Sequence, residues 1–168
     1  MEIRTEMGAD LAAVGEVNRL AFGREAEARL VDDLRDGGYA KLSLVAEEAG
    51  RLVGHVMFSE AVVIRTDGGE VGALALGPLG VIPERQGRGV GSALVREGLD
   101  RCVREGHRIV VLLGHPGYYP RFGFSAERAG NLSSPYSGDA FMALELTPGA
   151  LSRVVGEFEF APPFGTVP

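Results

Sequence analysis

Three glycines fall within six residues at Gln86-Gly87-Arg88-Gly89-Val90-Gly91, between a β-rich run and an amphipathic segment. A glycine loop at a helix start offers backbone N–H groups and the positive end of the helix dipole, and together these hold an anion. Glycine also tolerates unusual φ values and lets a phosphate approach the backbone. Arg85 and Arg88 add charge suited to phosphate oxygens. The chemistry this stretch can do is therefore phosphate binding. A plain glycine-rich turn ahead of a helix is the simpler alternative.

Other phosphate loops fit less well. The Walker pattern needs Lys and Ser or Thr after its last glycine, and neither follows Gly91 in that register. A dinucleotide loop needs glycine at its first, third and sixth positions, but counting from Gly87 reaches Gly89 and then Ser92. No acidic residue ends the next strand at the required distance. A dinucleotide-binding fragment remains a third reading.

Further side chains could carry protons. Tyr118 and Tyr119 lie in Gly117-Tyr118-Tyr119-Pro120-Arg121-Phe122-Gly123-Phe124. A positioned phenol can act as a general acid, although a lone tyrosine is more often a packing residue. His115 precedes Pro116, and its ordinary pKa range suits proton transfer. A turn histidine is an equal reading. His55 within a strand and His107 at a helix end read as structural. Glu25, Glu27 and Glu60 are candidate bases, but charged residues of this kind are mostly solvated. Cys102 sits on a helix stripe and is not assigned as a nucleophile. Three scattered histidines and one cysteine make no metal site.

The spacing Gln86, Gly89, Gly91 resembles the pyrophosphate loop of the GNAT superfamily of N-acetyltransferases. Tyr119 and Gly123-Phe124 match that family's Tyr-x-x-x-Gly-Phe, and Leu76–Pro83 resembles its fourth strand. Several expectations follow from the resemblance. Acetyl-CoA is the cosubstrate and no metal is used. Arg85, Gln86, Gly87, Arg88, Gly89, Val90, Gly91 and Ser92 hold its pyrophosphate. Leu79, Gly80 and Val81 pair with the pantetheine arm, and a backbone N–H near Leu79 stabilises the oxyanion. Tyr119 is the acid, with His115 a second catalytic candidate. The acceptor is an amine, attacked directly in a ternary complex. A noncatalytic CoA-binding or sensing module on the same fold is the alternative. Homodimers are frequent in the family. The chain departs from the pattern after the fifth strand: many members have an asparagine there, and this chain has Leu113-Gly114-His115-Pro116. That stretch resembles an uncharacterised bacterial subgroup of predicted members.

The elements that would position these residues are readable from periodicity. Strands are expected at Ile3–Thr5, Leu42–Glu47, Leu52–Ile64, Val71–Val81, Arg108–Leu113, Phe124–Ala126 and Ala140–Leu146, with a last one through Phe158 and Phe160. Helices are expected at Asp10–Leu20, Glu25–Arg35 and Gly89–Glu105, and one helical turn at Gly117–Phe122. Asn131–Asp139 reads as a long polar loop. The fold class is α+β: a mixed, mostly antiparallel sheet splayed between the fourth and fifth strands and flanked by helices.

The 168 residues, 45% hydrophobic, suit one domain over 1–168 with a Pro-rich tail from about 161. A net charge of −6 disfavours nonspecific nucleic-acid binding. No apolar run approaches a membrane span. A single cysteine and a polar N-terminus make the cytoplasm the expected compartment.

Overall fold

The structure, a computed structural model, describes residues 1–166. It contains β1 (Glu2–Thr5), α1 (Leu11–Phe22), α2 (Ala26–Asp36), β2 (Ala40–Glu48), β3 (Arg51–Arg65), β4 (Glu70–Val81), α3 (Val90–Arg104), β5 (Ile109–Leu113), β6 (Leu132–Ser133), β7 (Phe141–Glu145) and β8 (Gly156–Phe160). The strands form one eight-stranded sheet in the order β1-β2-β3-β4-β5-β7, with β8 on β3 and β6 on β8. Pairing is mostly antiparallel, and β4–β5 and β6–β8 are parallel. The expected α+β class with a mixed sheet is what the chain adopts. No helix among the described residues is long and apolar enough to cross a membrane.

The chain divides into two compact units. The first holds Met1–Ser59, Gly77–Gly98 and the chain from Ala161; the second holds Glu60–Leu76 and Leu99–Phe160.

In the first unit, β1 and β2 pair antiparallel, and β2 continues onto β3 as far as Ala40↔Ser59. Val14 and Val17 of α1 and Ala28, Leu30, Val31 and Leu34 of α2 are buried at helical spacing. Gly23, at φ 69°, ends α1 with its N–H donating to the Arg19 carbonyl, as left-handed C-terminal glycines do. The start of α3 buries Val90, Leu94 and Val95. Gly98 lets the Phe58 ring lie against the helix backbone, where any Cβ would collide with it. The expected Pro-rich tail forms a 3-10 turn at Pro162–Thr166 that packs on α2. Its last two residues, 167 and 168, lie outside the described residues.

A buried polar chain runs through this unit. Asn18 and His55 are fully buried. The Asn18 amide nitrogen donates to the Val14 carbonyl at 3.0 Å and lies 3.2 Å from His55 Nδ1, whose Nε2 is 2.9 Å from Ser43 Oγ. Burial, assisted by the Arg35 charge, pushes the His55 pKa from 6.5 down to about 3. The folded protein thus refuses a proton that the unfolded chain accepts below 6.5. Stability from this group is full above pH 6.5 and is lost as pH falls towards about 3. The slope is about 1.4 kcal/mol per pH unit. Urea unfolding of wild type should therefore weaken between pH 6.5 and the carboxylate range, and His55→Gln should flatten that decline. Equal slopes in the two proteins would refute this.

In the second unit, β5 pairs with β4 only at Leu74↔Val110 and Ala75↔Val111, and the register ends before the cis Gly77–Pro78 bond. Parallel pairing confined to two residues is the expected departure of the fourth strand from the fifth. β7 covers the other edge of β5 from Ile109↔Glu145 to Leu113↔Phe141. Two expectations needed revision. Phe124–Ala126 is not a strand: only Ser125 bridges to Ala143. The polar loop 131–139 contains β6, which pairs parallel with β8 at Leu132↔Gly156. The α3 stripe keeps Leu99 and Cys102 but leaves Val103 half-exposed.

Candidate active site

Local chemistry explains the loop at the head of α3. Pro83 opens a 3-10 turn over Pro83–Arg85, and the Arg85 N–H donates to the Ile82 carbonyl. The chain then needs left-handed φ values at Gly87 (74°) and Gly89 (85°), a region closed to most side chains. The α3 ladder opens with Ala93 N–H donating to the Gly89 carbonyl at 3.0 Å. By helix geometry the amides of Val90 and Gly91 lie ahead of that ladder. Gly87, Arg88 and Gly89 are exposed, and Gly91 and Ser92 are half-buried.

The polar side chains of the loop divide by partner. Gln86 Nε2 donates to the Val81 carbonyl at 2.9 Å, tying the loop back to the end of β4. Arg85 Nε donates to Glu48 Oε1 at 2.9 Å. Arg88 is exposed and makes no ion pair among the described residues. Of the two arginines it is the one whose charge is uncommitted.

Leu79, Gly80 and Val81 form the last residues of β4. Gly80 is buried, and a Cβ there would lie 3.2 Å from Ala21 Cβ and 3.3 Å from Asn18 Oδ1. Sequence reasoning missed Gly54. A Cβ on it would stand 2.9 Å from both Val90 and Leu94, the first apolar residues of α3. Gly54 therefore seats the helix start, and with it the loop, on the sheet. A glycine flanked by valine and histidine inside a strand run was the available signal. Gly54→Ala should lower stability by roughly 1–3 kcal/mol through overpacking, read by urea unfolding. An unchanged midpoint would show that α3 yields freely.

Tyr119 and His115 lie in the second unit. His115 is exposed, and its carbonyl accepts the N–H groups of Tyr118 (3.0 Å) and Tyr119 (3.3 Å). That bonding makes it a turn residue. Tyr119 starts a 3-10 turn, Tyr119–Phe122, closed by Gly123 at φ 100°. Its ring meets Tyr118 at 5.0 Å and buried Phe124 at 6.0 Å, both edge-on. It also lies over Gly114, where a Cβ would stand 2.5 Å from the ring. Burial, with a contribution from Tyr118, pushes the Tyr119 phenol up to about 12. Its hydroxyl makes no hydrogen bond among the described residues. Tyr118, the rival one residue away, carries the Arg121 guanidinium on its ring face at 4.4 Å.

The remaining candidates are mostly engaged elsewhere. Glu25 pairs with Arg19, and buried Glu27 pairs with Arg24. Glu60 is exposed. Burial raises the Cys102 thiol to about 12, so a thiolate is disfavoured. Among the described residues no group of three or more His, Cys, Asp or Glu side chains could hold a metal ion.

Set beside known proteins, this combination has clear relatives. The Acetyltransferase (GNAT) domain pattern matches residues 2–126. The uncharacterised N-acetyltransferase YhbS of Escherichia coli K12 is 36% identical over 163 residues, 95% of this chain and 96% of that protein. The crystal structure of Escherichia coli YhbS in complex with CoA superposes with a TM-score of 0.90 at 35% identity, covering 98% of this chain and 91% of the other. A GNAT acetyltransferase from Brucella melitensis, in complex with acetyl-CoA, gives 0.81 at 36% identity over 97% of both chains. The chain belongs to the GNAT family of N-acetyltransferases.

Proposed function

We propose that this chain moves an acetyl group from acetyl-CoA to a primary amine by direct attack. One observation carries the reading: two left-handed glycines, Gly87 and Gly89, shape an exposed cradle at the head of α3. That cradle fits a pyrophosphate, and relatives over the whole chain were crystallised with CoA and with acetyl-CoA. The residues from Arg85 to Ser92 are assigned to the pyrophosphate, with Arg88 as the free cation and Gln86 closing the loop. The backbone of Leu79, Gly80 and Val81 is assigned to the pantetheine arm, and an N–H near Leu79 to the oxyanion. Tyr119 is assigned as the acid that protonates the departing CoA thiolate. His115 is the weaker candidate because it is committed to a turn. We assign this activity to one domain spanning 1–168, working in the cytoplasm.

The chemistry needs these parts. Acetyl-CoA supplies a thioester whose carbonyl carbon the amine attacks. The tetrahedral oxyanion takes a backbone N–H, and the C–S bond then breaks. The sulfur leaves as an anion and takes the phenol proton, while the amine nitrogen sheds its extra proton to water, from which the phenolate is reprotonated. The test is CoA release from acetyl-CoA across an amine panel, alongside calorimetry with CoA. Turnover of an amine supports the reading. CoA binding without turnover of any amine would favour a binding module instead, and stabilisation by NAD but not by CoA would overturn it.

A further inference from the structure

The Asn18 side chain is fully buried, yet its carbonyl oxygen Oδ1 has no hydrogen-bond partner. Its orientation is not open to a flip. The Val14 carbonyl can only accept, so the amide nitrogen must face it. The same nitrogen reaches His55 Nδ1, which therefore accepts; His55 Nε2 carries the proton and donates to Ser43 Oγ. The network leaves Oδ1 as its single unsatisfied end. An unpaired buried carbonyl is costly, and leucine would fill this position at no such cost.

Oδ1 points at Gly80, ending 3.3 Å from where a Cβ would stand. Gly80 lies in the strand segment assigned to the thioester arm. The same position is 3.6 Å from the ring of Phe22, the last residue of α1. Phe22 is 40% exposed, so its ring can swing aside on the fast timescale of surface side chains. A buried polar acceptor and an exposed, movable ring thus flank the same point beside Gly80, on the strand where an amine would have to arrive.

We propose that Asn18 Oδ1 accepts an N–H of the acyl-acceptor amine and that Phe22 covers this contact when no amine is present. The inference rests on the acetyl-transfer reading and adds a residue to its acceptor side. The Val14 carbonyl and His55 Nδ1 hold the Asn18 amide so that its oxygen, not its nitrogen, faces the substrate. The acceptor this selects has at least one N–H to donate, so primary and secondary amines qualify and tertiary amines do not.

The experiment uses the full chain with saturating CoA and three probes: spermidine, tyramine and a lysine-containing peptide. The Asn18 side-chain amide is assigned through bonds in isotope-labelled protein and followed by NMR as each amine is added. In parallel, Asn18→Leu and Ser43→Ala are assayed on any amine turned over. The expected result is a shift of the Asn18 signal with at least one amine. Asn18→Leu should raise the KM of that amine about tenfold, the equivalent of one hydrogen bond to a charged group. The Kd for CoA should stay within about twofold, because the donor does not touch this oxygen. Ser43→Ala, which cuts the far end of the network but keeps Oδ1 in place, should leave the amine KM unchanged. Turnover of an amine without any Asn18 shift overturns the inference and leaves acetyl transfer standing. A shift without turnover supports the contact and overturns acetyl transfer. Neither a shift nor turnover overturns both. A weaker CoA Kd in Asn18→Leu, or an equal KM rise in Ser43→Ala, also overturns the proposal.

Discussion

Replacing Tyr119 with phenylalanine should lower kcat about a hundredfold and leave the Kd for CoA unchanged, as expected for loss of a general acid. The ring contacts survive this change. Phenylalanine still lies over Gly114 and still meets Tyr118 and Phe124 edge-on. Only the hydroxyl goes, and that hydroxyl has no partner among the described residues whose loss could disturb the fold. With a pKa pushed up to about 12, the phenol keeps its proton through neutral and moderately alkaline solution. It is a donor throughout the working range and never a base. The alkaline limb of kcat should therefore not fall until the pH approaches that value. Folding follows the same sign. The unfolded tyrosine ionises near its ordinary value of 10, so its stabilising contribution is full below that and is lost as pH rises towards about 12. Single-turnover thiol release and CoA calorimetry on both proteins decide the matter. Equal kcat values would remove Tyr119 from the mechanism. Loss of CoA binding instead would make it a packing residue.

Gly89→Val should weaken CoA binding about ten- to a hundredfold while the protein stays folded. Gly89 stands at φ 85° with nothing near its Cβ position, so backbone strain, not a clash, carries the effect. Holding a non-glycine residue there costs of order 1–3 kcal/mol, and valine is among the residues that resist it most. The loop can relieve the strain only by rotating the amides that open α3, which are the groups assigned to the pyrophosphate. Gly72→Ala is the matched control: its φ is ordinary and the space beside it is open. Calorimetry with CoA, with circular dichroism for folding, separates the outcomes. Affinity retained in Gly89→Val would mean that side-chain charges, chiefly Arg88, hold the phosphates.

The donor side was legible in the sequence because it is made of local backbone features. Gln86–Gly91 encodes left-handed φ values and a helix start within a few residues, and both survive into the structure as read. The helical turn that carries Tyr119 was legible, and Gly123 closes it. The limits have a common cause. Gly54, Gly80 and Gly114 matter through what packs on them from distant parts of the chain, and a single sequence does not show which glycine faces a ring or a helix. The pairing of Arg85 with Glu48 was not legible because it spans 37 residues. Glu25 and Glu27 read as candidate bases or solvated charges, and their pairings with Arg19 and Arg24 were not visible. β6 was invisible because two residues of pairing leave no periodicity.

The Tyr119 ring lying over Gly114 constrains which substitutions are open to this chain. Any residue larger than glycine at 114 would carry a Cβ into the space the ring occupies, 2.5 Å from its nearest carbon. Gly114→Ala by itself should therefore be deleterious. The two positions are epistatic: a larger residue at 114 becomes acceptable only after the turn that carries residue 119 has moved.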